Sequence, residues 1–161
     1  ILCLYRSTIL DIYFDDSLLS LNQNFTSPED GIRYAGELLQ KSGACTSDYI
    51  EEMIHTYHEF GPVIVLDNGV AMPHARPEKG GLKSAFSVVV TEFPVIFHHQ
   101  EFDPVNVIIA ICAIDSDTHI HLIQIVADLI ERNIASYVRN SSKEQVLYFI
   151  QKSIERTLCL K

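Results

Sequence analysis

The residues best placed to do chemistry lie in the tract Gly69-Val70-Ala71-Met72-Pro73-His74-Ala75-Arg76-Pro77. An apolar extended run ends there, a proline stiffens the backbone, and a histidine stands at the exit. Loops at strand ends are where a rigid scaffold presents reactive groups. Imidazole titrates near a pKa of about 6.5, so at neutral pH much of it is uncharged and nucleophilic. Taken alone, the tract also fits a histidine in a surface turn. A second candidate is Asp115-Ser116-Asp117-Thr118-His119-Ile120-His121-Leu122, which follows the most apolar run of the chain. Its acids and hydroxyls supply a helix N-cap, which puts His119 in a first helical turn near the strand ends. Residues two apart on a helix point to nearly opposite sides, so His119 and His121 cannot face one site. His121 reads as a solvated helix residue.

Seven histidines raise the question of a metal. His98-His99 are adjacent, and His55 and His58 could share a helix face. Zinc sites want ligands at recurrent spacings, and neither an HExxH motif nor a second ligand pair is present. There is no GxGxxG after a strand, no Walker loop and no GxSxG. Gly80-Gly81 reads as a flexible loop, and Asp15-Asp16 and Glu51-Glu52 as solvated faces. No metal and no cofactor are expected. The four cysteines, Cys3, Cys45, Cys112 and Cys159, form no CxxC. Cys112 sits in the apolar run as a small core residue, and the set points to a reducing cytoplasm. A net charge of −9 argues against nucleic-acid binding, which depends on neutralising phosphates, and suits a protein that meets other proteins.

The elements that must position these residues follow from periodicity. With 161 residues, 47% of them hydrophobic, a single domain with a full core is expected. Ser27-Pro28-Glu29-Asp30 starts a helix that carries Ile32, Ala35, Leu38 and Leu39 and stops near Gly43. Thr46 or Ser47 caps a second helix with Tyr49, Ile50, Met53, Ile54 and Tyr57 on one face, ended by Gly61-Pro62. Val63 to Leu66, Val70 to Met72 and Ala85 to Val90 read as strands, with an Asn68-Gly69 turn. Val95 to Phe97 reads as a short edge strand, and Val105 to Ala113 as the sheet centre. The helix after Asp115 carries Ile120, Ile123, Ala127 and Ile130 on one face. A shorter helix spans Ile134 to Val138, and Ser141 and Glu144 have capping-box spacing before a last helix with Val146, Phe149, Ile150 and Ile154. The class is α/β, with helices packed on a sheet. Residues 18–158 form the domain; residues 1–17 are an N-terminal extension or its start. The chain opens on Ile1 rather than Met, which reads as a fragment or a processed chain, and Ile1 to Leu4 is too short for a signal peptide. No apolar run reaches the roughly 18–20 residues of a membrane span.

These stretches, in this order, resemble the enzyme IIA domains of the bacterial sugar phosphotransferase system, of the fructose–mannitol superfamily and nearest to its ascorbate- and galactitol-like branch. The resemblance rests on Tyr49-Ile50, Gly61-Pro62-Val63-Ile64-Val65-Leu66, Gly69 to Glu78, Pro94-Val95-Ile96-Phe97, Asp103-Pro104-Val105 and His119-Ile120. It implies a mixed sheet of about five strands flanked by helices on both faces. It implies that His74 is phosphorylated, as a tele-phosphohistidine, and that His119 lies beside it and stabilises the phosphoryl group. The donor would be a histidine phosphocarrier protein, the acceptor a cysteine of an enzyme IIB component, and contact with a membrane would come only through an enzyme IIC complex. Related domains act instead as regulatory modules, nitrogen-type or fused to transcriptional regulators, and that alternative stands beside the transport role. Mannitol- and fructose-type members carry an Arg-Glu pair at the end of the second helix, where this chain has Tyr57-His58-Glu59; Arg76 is the candidate replacement for that arginine in holding the phosphoryl group. Backbone N–H groups near Ala75 and the helix N-terminus near Thr118 are further candidates to hold it. His74 should be partly exposed, in a shallow depression rimmed by apolar side chains, so that partners can dock transiently.

Overall fold

The fold is taken from a computed structural model that describes residues 12–158. Cys3, Cys159 and most of the N-terminal segment 1–17 lie outside the described residues. Five strands form one mixed sheet in the order β1-β4-β5-β3-β2. They are β1 (Leu19–Gln23), β2 (Val65–Asp67), β3 (Val70–Ala71), β4 (Ala85–Val95) and β5 (Val105–Cys112). β5 is central and every one of its residues is buried, as its unbroken apolar run requires. It runs antiparallel to β4 and parallel to β3, while β1 is parallel to β4 and β2 antiparallel to β3.

Alternation along the strands divides the core in two. On one face Ile108, Ala110 and Cys112 of β5 pack with Val89 of β4 beneath α1 (Pro28–Lys41) and α2 (Ser47–Phe60). On the other, Ile109 and Ile111 pack with Phe86 and Val88 beneath α3 (Ser116–Glu131), the short α4 (Ile134–Tyr137) and α5 (Lys143–Leu158). The result is the α/β sandwich of helices on both sheet faces. Ser27 caps α1 by accepting the Asp30 N–H at 3.2 Å, with Pro28 in the first turn. Residues upstream of 18 also pack on the sheet: Tyr13 N–H donates to Ser84 O at 2.8 Å, and Phe14 stacks on Phe86 with ring centroids 4.5 Å apart.

Four local expectations are corrected. Val95 to Phe97 is no separate edge strand: β4 continues through Pro94 to Val95, with a register shift between Val90 and Val95 that absorbs the proline. Pro62–Ile64 is a 3-10 turn, so β2 starts only at Val65. The capping box of α5 lies one residue on, where the Ser142 hydroxyl accepts the Gln145 N–H at 3.2 Å and the Gln145 side chain accepts the Ser142 N–H at 2.8 Å. The most consequential correction concerns α3. Its buried side is Leu122, Ile125, Val126 and Leu129, whereas Ile120, Ile123 and Ala127 face solvent. The helix is apolar over more than half its circumference, and periodicity alone could not say which stripe meets the sheet.

Candidate functional site

Beyond β3 the chain stays extended and leaves along the upper end of β5. Gly69, at φ +83°, makes the turn into β3, where a Cβ would stand 2.5 Å from Asn106 Oδ1. Met72 N–H donates to Ile64 O at 2.8 Å, and Ile111 N–H of β5 donates to Pro73 O at 3.1 Å. His74 follows at once, half-buried, at the end of a backbone held on both sides.

Its ring is oriented by a local contact: Nδ1 lies 3.0 Å from Met72 O. A carbonyl can only accept, so Nδ1 carries the proton in the neutral ring and Nε2 carries the free lone pair. The imidazole of His119, in the first turn of α3, stands alongside, with ring centroids 5.9 Å apart and planes tilted by 55°. Burial, and next the proximity of His74, lower the His119 pKa from its ordinary 6.5, which favours the neutral ring. The two histidines singled out from sequence are therefore brought together.

The first turn of α3 is anchored by the expected cap and by Ser84, which sequence reading missed. Asp115 caps it, with Oδ1 accepting both the Thr118 N–H and the Thr118 hydroxyl at 2.8 Å. The Ser84 hydroxyl, at the start of β4, donates to Thr118 Oγ1 at 2.7 Å and accepts the Ile114 N–H at 3.0 Å. Ser84 and Thr118 are buried, so this chain of bonds fixes where α3, and hence His119, begins relative to the sheet. Two buried hydroxyls at an otherwise apolar junction were the available signal.

Backbone donors expected to face a phosphoryl group are already engaged. The Ala75 N–H donates to the hydroxyl of Tyr49 at 3.1 Å, and the Thr118 N–H is taken by Asp115. The α3 N-terminus thus already holds a carboxylate. Arg76 is exposed, and its guanidinium makes no hydrogen bond or ion pair among the described residues. The α2 C-terminus lies elsewhere: Tyr57 donates to Phe97 O at 3.1 Å, and His58 Nε2 is 3.1 Å from Glu29 at the start of α1. His58 stands nine residues along α2 from Tyr49, and its ring is engaged with the start of α1.

The other histidines serve local structure. His121 Nδ1 is 2.6 Å from Asp117 O in its own helix, and His55 pairs with Glu59. His99 Nδ1 accepts the N–H groups of Glu101 and Phe102 at 3.0 and 3.1 Å. Among the described residues no three His, Cys, Asp or Glu side chains are grouped as metal ligands. Cys45 and Cys112 are buried, which pushes their thiols up to about 12 and about 11 and leaves them un-ionised. Near His119 in the chain, Ile114 and Ile120 are each 52% exposed and Ile123 39%.

The sequence profile of the phosphoenolpyruvate-dependent sugar phosphotransferase system EIIA 2 family matches residues 12–153. The chain belongs to that family. An ascorbate-specific EIIA component of Salmonella choleraesuis is 30% identical over 109 residues, 68% of this chain and 71% of that one. The mannitol-specific cryptic phosphotransferase enzyme IIA of Escherichia coli is 31% identical, with a TM-score of 0.77 over 87% of this chain and 96% of that chain. The fold is also shared with the E. coli mannitol enzyme IIA solved in complex with phosphorylated enzyme IIB, at a TM-score of 0.77, 21% identity, and 88% and 99% coverage. Membership makes this EIIA chain a phosphotransfer component of a sugar phosphotransferase system. Among the described residues no helix is long and apolar enough to cross a membrane.

Proposed function

We propose that His74 accepts a phosphoryl group on Nε2 from a histidine phosphocarrier protein and passes it to a cysteine of an enzyme IIB component, in the cytoplasm, for sugar uptake. The observation that carries this reading is the contact of His74 Nδ1 with Met72 O, which leaves Nε2 as the nucleophile beside His119. In the first step the Nε2 lone pair attacks the phosphorus of the donor phosphohistidine. A new N–P bond forms, the donor N–P bond breaks, and its electron pair returns to the donor ring. In the second step the acceptor thiolate attacks, an S–P bond forms, and Nε2 regains its lone pair. Such transfers pass through a loose, in-line transition state, so positioning and charge stabilisation do the catalysis.

His119 supplies a ring N–H to a phosphoryl oxygen, and Arg76 swings in from solvent as the counter-charge. With the Ala75 and Thr118 N–H groups engaged, these two side chains carry much of the stabilisation. The exposed Ile114, Ile120 and Ile123 form the apolar surface on which donor and acceptor dock in turn; the structural relative solved with enzyme IIB is consistent with such an exchange. The test is to incubate the protein with phosphoenolpyruvate, enzyme I and the phosphocarrier, and to map the label by mass spectrometry. Wild type gains one phosphoryl group on His74, and His74→Ala gains none while remaining folded. A His74→Ala protein that is still phosphorylated would remove His74 from this role.

A further inference from the structure

We propose that Tyr49 is the positioning residue of the His74 site: its hydroxyl ties the backbone after His74 to strand β5 and so holds the imidazole with Nε2 outward. The proposal rests on the reading of His74 as phosphoryl acceptor. Tyr49 comes from the first turns of α2 and is only 1% exposed, so nothing but protein can meet its hydroxyl. That hydroxyl accepts the Ala75 N–H at 3.1 Å and directs its single proton to Ile111 O at 2.8 Å, with Ala75 O as the longer alternative acceptor at 3.2 Å. Ile111 in turn donates its own N–H to Pro73 O at 3.1 Å. One β5 residue therefore grips both sides of His74, directly through Pro73 and through the tyrosine bridge to Ala75.

The geometry explains why a hydroxyl is needed. Beyond β3 the chain drifts out of ladder register with β5, and the Ala75 N–H no longer reaches a strand carbonyl. A group that both accepts and donates closes the gap, which a phenol does and a phenyl ring cannot. Burial raises the Tyr49 pKa far above any physiological pH, so the proton it must donate stays in place. α2 is itself fixed to the far end of the same loop, where Thr46 N–H donates to Gly80 O at 3.0 Å. Removing the hydroxyl orphans a buried N–H and a buried carbonyl. The tripeptide recovers those bonds by lifting from β5 toward water, which breaks the His74 Nδ1–Met72 O contact and releases the tautomer.

The test is Tyr49→Phe in the whole chain. In wild type, long-range proton–nitrogen correlation spectra show His74 as the single Nδ1–H tautomer; in the variant they show a mixture. Phosphoryl acceptance slows by about ten- to a hundredfold, as expected for a misplaced nucleophile, with the same residue labelled. A side chain that only fills the core would lower the melting temperature without moving the tautomer. An unchanged tautomer overturns the proposal, whether the rate falls or stays within about twofold of wild type. Should the variant fail to fold, the wild-type spectrum decides: a slowly exchanging Tyr49 hydroxyl proton close to the Ala75 amide is expected, and its absence overturns the proposal. The tautomer measurement needs no phosphoryl donor. If wild type takes no phosphoryl group on His74, the function proposed above fails while the Tyr49 clamp is still decided.

Discussion

Phosphorylation of His74 should raise the pKa of His119, and the size of the rise can be worked from the structure. In the free protein, burial and the neighbouring His74 ring hold His119 below its ordinary 6.5. A phosphoryl group on Nε2 brings a charge of roughly −1.5 to −2 to the gap between the rings. With the 5.9 Å centroid distance as the separation and an effective dielectric constant of about 20, one unit charge contributes about 2.8 kcal/mol, or about two pKa units. His119 is only partly buried, so solvent screening removes about half of that and leaves a rise of at least about one unit. Transfer to His74 would then be accompanied by proton uptake at His119, turning a neutral donor into a charged one when the phosphoryl group arrives. The assay is a titration of the histidine ring resonances from acid to neutral pH, before and after phosphorylation, with the His119 signals assigned by their loss in His119→Gln. An upward shift on phosphorylation is expected. A His119 curve that stays in place would place the phosphoryl group out of its reach and refute the helper role.

Other perturbations give separate outcomes. His119→Phe keeps a flat ring but removes the donor; loss of one hydrogen bond to a charged group is worth about 1.5–3 kcal/mol, so transfer should slow by about 10- to 150-fold, with partial recovery in His119→Gln, and equal rates in all three proteins would count against it. The lowered His119 pKa also sets a sign for stability. The unfolded chain binds a proton near 6.5 more readily than the native one, so native stability is intact above that pH and declines as pH falls from 6.5 to the folded value. The denaturant midpoint of wild type should fall relative to that of His119→Gln, which lacks this titration, as pH drops below 6.5, while the difference between them stays constant above it. Gly80→Ala places a Cβ 2.1 Å from Thr46 Oγ1 at φ +121°, and should cost about 2 kcal/mol, lowering the melting temperature by roughly 4–8 °C. Ile120→Asp and Ile123→Asp, on the exposed stripe of α3, should leave stability within about 0.5 kcal/mol of wild type. They should raise the donor concentration needed for half-maximal transfer at least about tenfold, and unchanged kinetics would move the docking surface elsewhere.

What could be read from the residues, and what could not, divides along a physical line. The caps of α1 and α3 and the central place of β5 are local or one-dimensional properties, written in Ser27, Asp115 and the unbroken run from Val105. The closeness of His74 and His119 is not local: the resemblance pointed to it, and the register of β3 on β5 produces it. Three features were beyond reach for the same reason. Which stripe of α3 faces the sheet depends on the anchoring of its first turn by Ser84 and Thr118, residues 34 positions apart in sequence. The availability of backbone N–H groups near the site depends on who else claims them, and Tyr49, read from periodicity as one more apolar helix position, claims the nearest. The partner of a residue at the α2 C-terminus depends on how that helix packs, and it brings His58 against Glu29 at the start of α1. In each case the missing fact is a competition for a hydrogen bond or a surface, decided by the tertiary structure. On the reading proposed for His74, the side chains of His119 and Arg76 would then meet the incoming charge. On that reading the Ala75 and Thr118 N–H groups belong to the structure, and the charge is met by side chains. That division suits a carrier which must release its cargo as readily as it accepts it.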